Sequence, residues 1–318
     1  MKILITGGLG FIGSNFYNFF SKKYPDYELV ILDSETYASN RDNLDTNCRL
    51  ITFDICERER LFKLFKNYKF NRVIHFAAES HVDNSIINPL KFVQTNIVGT
   101  INLLDASVKY GIELFYHIST DEVFGQLGPT GSFDESTPYD PRSPYSASKA
   151  SSDHFVRAYH HTYNLPILIS NCSNNYGPNQ HTEKLIPTII NKILSGEKIP
   201  IYGNGSNVRD WLFVKDHVDA IDTIFHNGKI GETYCIGGGY ELTNLKLTKI
   251  ICDKIDELKQ WEQNSQELIT FVEDRKGHDF RYSINHSKLT KNLAWEPKTT
   301  LDEGLDITID FYLKKFGI

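Results

Sequence analysis

Of the 17 tyrosines in this 318-residue chain, only Tyr145 has a lysine four positions on, Lys149, and the stretch Tyr145-Ser146-Ala147-Ser148-Lys149 opens a run of helical pattern. One helical turn sets both side chains on one face. An ammonium beside a phenol favours the phenolate and draws its pKa from about 10 toward neutrality, which makes a base for oxidising an alcohol. A second set follows the apolar run 114–118: Thr120, whose hydroxyl suits a reacting hydroxyl group, then Asp121 and Glu122. Two adjacent carboxyls repel, so one stays protonated as an acid while its neighbour serves as a base. That pair permits elimination as well as redox chemistry.

A cofactor site is expected at the start of the chain. Gly7, Gly10 and Gly13 follow the first apolar run and lead into a helical one, where backbone N–H groups and the helix dipole face a pyrophosphate with no Cβ in the way. Asp33 ends the second run, 20 residues after Gly13, where a carboxylate accepts hydrogen bonds from ribose hydroxyls. This favours NAD over NADP. Arg41 lies nearby, but Asp33 would repel a 2′-phosphate, so Arg41 is read as solvated. Asp54 after the third run, and Ala77 and Ala78 after the fourth, continue a series of strand ends at which ligands of open α/β sheets bind.

The elements that must position these residues alternate in the first half of the chain. Short β-branched runs at 3–6, 29–32, 50–53, 73–76, 114–118 and 167–170 are expected strands, and amphipathic stretches at 12–22, 58–66, 90–110 and 146–163 are expected crossover helices. The fold class is therefore α/β, a Rossmann-type doubly wound parallel sheet. After Cys172 the pattern breaks into turns rich in Asn, Gly and Pro between shorter elements. The expected division is 1–172, an NAD-binding domain with the catalytic residues, and 173–318, mainly a smaller substrate-binding lobe, with the chain free to recross between them.

A formal charge of -6 offers no basic field for nucleic acid, so a small anionic ligand must be held by a few local cations and N–H groups. No apolar run approaches membrane-spanning length, and the first residues run straight into a strand, so a cytoplasmic protein is expected. Five cysteines without CxxC spacing point to structural thiols, with no metal expected.

Six blocks stand in order along the chain: AAESHVDNSI at 77–86, STDEVFG at 119–125, SPYSASKASSDH at 143–154, SNNYGPNQHTEKLIP at 173–187, RDWLFVKDH at 209–217 and EDRKGHD at 273–279. With the glycine run and the Tyr145/Lys149 pair, they resemble the extended short-chain dehydrogenase/reductase family over nearly the whole chain. Within it the likeness is to the nucleotide-sugar 4,6-dehydratases, whose Thr-Asp-Glu triplet sets them apart from related epimerases and decarboxylases. The resemblance implies a hydro-lyase that holds NAD tightly and regenerates it each turnover. The implied substrate is dTDP-glucose, with UDP-glucose the alternative, since one methyl is worth only about 1–3 kcal/mol of discrimination.

The resemblance further implies that Tyr145, with Lys149, takes the 4-hydroxyl proton, that Glu122 removes the C5 proton and that Asp121 protonates the departing 6-hydroxyl. Cofactor contacts of the family fall on Phe11, Ile12, Asp33, Thr36, Asp54, Ile55, Ala77, Ala78, Ser80, Thr95, Tyr145, Lys149 and Asn175. Sugar contacts fall on Ser80 and Thr120. Nucleotide-diphosphate contacts fall on Asn174, Lys184, Leu185, Pro200, Ile201, Tyr202, Arg209, Asn244, Asp274 and His278, with Lys184 and Arg209 the cations. Phe124, Thr182 and Lys276 depart from the family pattern without removing a group of the implied chemistry. A 4-epimerase or decarboxylase would have no use for Asp121, and a non-catalytic NAD-binding sensor would not need Tyr145. By the same resemblance the chain is expected to form a homodimer through helices 90–110 and 146–163.

Overall fold

The computed structural model describes residues 1–45, 48–260 and 264–316. Each β-branched run of the first half forms a strand: β1 (Lys2–Thr6), β2 (Glu28–Asp33), β3 (Arg49–Thr52), β4 (Arg72–His75), β5 (Leu114–Thr120) and β6 (Ile167–Cys172). They lie parallel in the order β6-β5-β4-β1-β2-β3, the arrangement of a doubly wound sheet. Strand ends are in register, with Thr6 beside Leu32 and His75, and Thr120 beside Cys172. The loops after these strands therefore open along one edge.

Both faces of the sheet are covered, which is why strands such as β1 and β5 are buried without alternation. On one face Phe16 and Phe20 of α1 (Phe11–Lys23) pack with Tyr116, Leu168 and a later helix. On the other, Leu61 and Phe65 of α2 (Arg58–Tyr68) pack with residues of the helices that follow β4 and β5.

The expected helix at 90–110 is present but carries a π-helical stretch. A short α3 (Val82–Ile87) precedes it, and the chain breaks at Asn88 because Pro89 has no N–H to give and holds the residue before it out of the helical region. α4 (Pro89–Phe92) then passes through one π-helical stretch, Val93–Gly99, into α5 (Thr100–Tyr110). The wide turn lets Asn96 bond both backbone groups of Glu79, at 2.9 and 3.0 Å, and Ser148 Oγ at 2.8 Å. It thereby ties the loop after β4 to the next helix, α6 (Pro144–Tyr163). α6 starts on a capping box between Ser143 and Ser146, with Pro144 in its first turn, so Tyr145 sits at the very start of the helix.

Beyond β6 the chain builds a smaller lobe from β7 (Asn174–Tyr176), α7 (Leu185–Leu194), β8 (Ile199–Tyr202) and β9 (Val208–Phe213). It then recrosses: α8 (Val214–Asn227) packs on α1, and β10 (Thr233–Ile236) adds beside β6, giving seven parallel strands among the described residues. β11 (Glu241–Thr243), α9 (Asn244–Lys259), β12 (Ile269–Val272), α10 (Ser287–Leu293) and α11 (Leu301–Lys315) follow. β11, β9 and β7 form a three-stranded sheet, and β12 pairs with β8. The small lobe has its own core, with Ile189, Ile251, Leu305 and Tyr312 fully or almost fully buried. No described helix is long and apolar enough to cross a membrane.

Candidate active site

A cavity of about 470 Å³ runs along the carboxyl ends of the strands. Its floor is the turn from β1 into α1. Gly7 takes a φ of +70°, which a side chain would strain, and a Cβ on Gly13 would lie 2.2 Å from the Gly7 carbonyl oxygen. α1 begins at Gly10 with no side-chain cap and no acidic residue in its first turn, so its first N–H groups and positive dipole end are available to a phosphate. Asp33 is buried at the end of β2 and held in place: Oδ2 accepts from Leu9 N at 3.0 Å, and Oδ1 from Ser39 Oγ at 2.7 Å and Glu35 N at 2.9 Å. Arg41 remains exposed and forks onto Glu35, at 2.5 and 2.9 Å, so its charge is already paired, while Asp33 lines the cavity. All the expected cofactor residues line this one cavity: Gly7, Gly10, Phe11, Ile12, Gly13, Asp33, Thr36, Asp54, Ile55, Ala77, Ala78, Ser80, Thr95, Tyr145, Lys149 and Asn175. The donor set and the shape fit a dinucleotide with free ribose hydroxyls.

Thr120, Asp121 and Glu122 line the same cavity, with Thr120 within hydrogen-bonding reach of Tyr145. Thr120 ends β5, donates to Asp121 Oδ1 at 3.3 Å and accepts from the Glu122 N–H at 3.3 Å. Burial first, and then the neighbouring Glu122 and Asp210 carboxyls, push Asp121 well above the usual carboxylate range. Its Oδ2 is buried with no partner among the described residues. Burial also raises Glu122, but Lys184, Arg209 and Arg275 oppose the rise. The two carboxyls are thus driven apart, with Asp121 the one held as neutral acid.

The phenol does not behave as its spacing to Lys149 suggests. Burial, and then the Glu122 charge, raise Tyr145 well above 10. Lys149 Nζ donates to the Ile118 carbonyl at 2.8 Å and lies 3.5 Å from His117 Nε2, so in the chain itself the ammonium is engaged with β5. The i,i+4 spacing places the two groups on one face of α6; the low-dielectric core sets the direction of the shift.

A second cavity, of about 370 Å³, continues into the small lobe. Ser80, Asn174, Lys184, Leu185, Pro200, Ile201, Tyr202, Arg209, Asn244 and His278 line it. Ser80, Glu122, Asn174, Asn175, Gln180, Glu183 and Lys184 line both cavities, which makes the two one cleft with a seam at Glu122. Arg209 is buried and fixed, donating to the Asp279 carbonyl at 3.0 Å and the Val208 carbonyl at 2.8 Å, its guanidinium 4.4 Å from the centre of the Tyr282 ring. Asn174 Oδ1, Asn244 Oδ1 and Trp211 Nε1 are buried without partners among the described residues, a set of polar atoms suited to a ligand. Asp274 differs from the rest: it does not line the cleft and instead accepts from His278 Nδ1 at 2.7 Å.

Sequence reasoning passed over Arg275, which lines the second cavity, bonds Asp83 Oδ2 at 3.0 Å and lies 5.2 Å from the centre of the Tyr202 ring. The signal was present, since Arg275 sits between Asp274 and His278 in the last block. His117 and Asp153, behind Lys149, were also passed over. Among the described residues no cluster of His, Cys, Asp and Glu is arranged to hold a metal ion.

Residues 4–308 match the model of the family described as GDP-mannose 4,6 dehydratase. A dTDP-glucose 4,6-dehydratase of Xanthomonas campestris pv. campestris is 47% identical over 326 residues, spanning 98% of this chain and 92% of that protein. The crystal structure of DesIV, a dTDP-glucose 4,6-dehydratase from Streptomyces venezuelae with NAD bound, superposes with a TM-score of 0.93 at 43% identity, covering 100% of this chain and 98% of that one. A UDP-glucose 4-epimerase from Thermotoga maritima superposes nearly as well, with a TM-score of 0.90 at 28% identity over 99% and 100% of the two chains. The fold is therefore shared between different reactions, and the site must decide among them.

Proposed function

Because the chain belongs to the family described as GDP-mannose 4,6 dehydratase, we infer that its cleft carries out the NAD-dependent dehydration of dTDP-glucose to dTDP-4-keto-6-deoxyglucose. The observation that carries this reading is the Asp121–Glu122 pair at the seam of the two cavities, with Asp121 held neutral and Glu122 facing three cations. A 4-epimerase on the same fold has no use for such an acid. NAD, held by Gly7, Gly10, Gly13 and Asp33, supplies when bound a hydride acceptor that gives the hydride back, so no external oxidant or reductant is consumed.

Thr120 holds the sugar 4-hydroxyl and Tyr145, which the positive charge of bound NAD would help to ionise against its burial, takes its proton as C4 becomes a ketone. The ketone acidifies the neighbouring C5–H. Glu122, whose upward shift Lys184, Arg209 and Arg275 oppose, removes that proton while Asp121 gives its own to the 6-hydroxyl, and water departs. Glu122 then returns its proton to C5 as C6 is reduced. The cycle leaves Tyr145 with one proton more and Asp121 with one fewer, so a single proton passing between them resets the site. Lys184, Arg209 and Arg275 hold the diphosphate in the second cavity, and Asp274 acts through His278.

In this reading 1–172 carries the cofactor and the chemistry and 173–318 mainly the nucleotide, with α8 and β10 recrossing. A homodimer is supported by apolar side chains exposed along the helices after β4, among them Ile87 at 82% and Leu90 at 71%, with Phe155 on α6 also exposed. The five thiols, all free, suit a cytoplasmic setting. Incubation of the purified protein with dTDP-, UDP-, GDP- and CDP-hexoses tests the function. The expected product is a 4-keto-6-deoxy sugar from dTDP-glucose, detected by its absorbance in strong alkali. No product from either dTDP- or UDP-glucose would refute the assignment, and a monomer mass by light scattering would refute the dimer.

A further inference from the structure

Behind Lys149 the core holds charged groups that neither cavity touches. Asp153 lies one helical turn beyond Lys149 on α6 and, like His117 on β5, is completely buried. Its Oδ2 accepts hydrogen bonds from Tyr139 OH at 2.7 Å, Ser119 Oγ at 2.9 Å and Asn171 Nδ2 at 3.2 Å. Its Oδ1 lies 3.1 Å from His117 Nε2, and that same nitrogen is 3.5 Å from Lys149 Nζ. Arg157 closes the far end by donating to Tyr139 OH at 2.8 Å. One carboxylate thus stands between two cations, reached through a tyrosine on one side and an imidazole on the other.

A carboxylate in the core is strongly disfavoured unless its neighbours compensate it, and apolar packing would hold these elements together as well. The reason for its presence is sought in what it does to its neighbours. We propose that Asp153 and His117 are positioning residues for Lys149, Asp153 supplying the charge that keeps the ammonium protonated in the core and the His117 ring, set between carboxylate and ammonium, fixing where Nζ stands. The proposal rests on the function inferred above, in which Lys149 works beside Tyr145.

The groups facing Lys149 agree with this assignment. Burial lowers Lys149, and Asp153 and Cys172 raise it again. Against its own desolvation, the His117 contact and the Lys149 charge hold Asp153 at about 2, while burial lowers the His117 imidazole to about 4. His75 on β4 is also kept neutral by burial, and burial pushes Tyr145 and Cys172 up. At neutral pH the core therefore sets one anion against the Lys149 cation across a neutral ring.

The test titrates Lys149 directly, by NMR of lysine labelled at its ε-carbon in the intact cofactor-loaded protein, with the resonance assigned through Lys149→Arg. In Asp153→Asn the Lys149 pKa falls by about one unit or more. Turnover falls about tenfold or more while KM stays within about twofold, and the alkaline limb of the kcat profile moves down in pH with Lys149. Asp153→Glu restores part of both effects. His117→Gln gives the same pattern at smaller size, and decides the matter should Asp153→Asn not fold. An unchanged Lys149 pKa in a folded variant overturns the proposal, as does lost thermal stability with no movement of the alkaline limb. If the unsubstituted protein turned over no nucleotide sugar, the inferred function would fall, and the NMR titration would still decide the role of Asp153.

Discussion

The cofactor half of the cleft is walled largely by main chain and small residues at successive strand ends, whereas the nucleotide half gathers charged and aromatic side chains from as far apart as Asp83 and Tyr282. The first half works by fit. Backbone passes so close to backbone at Gly7 and Gly13 that one added methyl group has no place. The second half works by compensation, with Lys184, Arg209 and Arg275 gathered as cations, in the inferred function for the diphosphate, and each braced by carbonyls or carboxylates of the protein. Volume should therefore matter most in one half and charge in the other, and the seam between them should tolerate neither.

The seam gives the largest expected effect. Asp121→Asn removes the only proton source adjacent to Glu122 in the inferred reaction, and turnover should drop by about 10²–10⁴-fold. C4 oxidation should still proceed, so reduced nicotinamide should accumulate and be seen by its absorbance. Turnover within twofold of the unsubstituted protein would mean that elimination is not what the seam does.

Next comes the volume test. Gly13→Ala places a methyl 2.2 Å from the Gly7 carbonyl oxygen, which the turn cannot absorb without moving α1. It should cost roughly 1–3 kcal/mol of stability and strip NAD during purification, measured by thermal melting and by the nicotinamide content of the isolated protein. A full complement of cofactor in this variant would break the distinction between the halves.

In the nucleotide half the charge test is graded. Arg209→Ala should raise KM by about 10–100-fold with a much smaller change in kcat, as for loss of a buried charge-assisted hydrogen bond. Arg275→Gln, at a more accessible cation, should raise KM by about tenfold or less. Steady-state kinetics checks both, and an equal fall in kcat for either would move that residue from binding into the chemistry.

The smallest expected effect concerns His217, fully buried under Asn175, which lines both halves; its Nδ1 lies 2.7 Å from Asn175 Oδ1. Burial lowers the imidazole to about 3. Between that value and the unfolded pKa of about 6.5, the unfolded chain binds a proton that the folded chain does not, so stability falls as the pH falls. The stability lead over His217→Gln should accordingly shrink by about 1 kcal/mol per pH unit below about pH 6.5, measured by denaturant unfolding at a series of pH values.

Much of the cofactor half was legible in the sequence because its information is local. A glycine run between a strand and a helix, a carboxylate at the next strand end and small residues after the fourth strand each declare a backbone geometry within a few residues. The strands and crossover helices followed from the same short-range patterning. The interruption at Asn88 and the π-helical turn at Asn96 did not, since a 3.6-residue period fits the stretch either way. In the nucleotide half, motif blocks marked Arg209 and His278, but Arg275 and the withdrawal of Asp274 behind His278 depend on which way one loop turns.

By itself the sequence determined the parallel sheet, the glycine turn and strand ends that line the first cavity, and the co-facial placement of Tyr145 with Lys149, because each follows from residue types at fixed short spacings. Tertiary structure alone decided what those groups experience. The spacing promised a phenol drawn down by Lys149, yet burial and Glu122 raise Tyr145, and Lys149 turns toward Ile118 and His117. Desolvation and long-range charge come from segments that meet only in the folded chain, so Asp153 and His117, unremarkable in the sequence, stand behind the residue with which the chemistry begins.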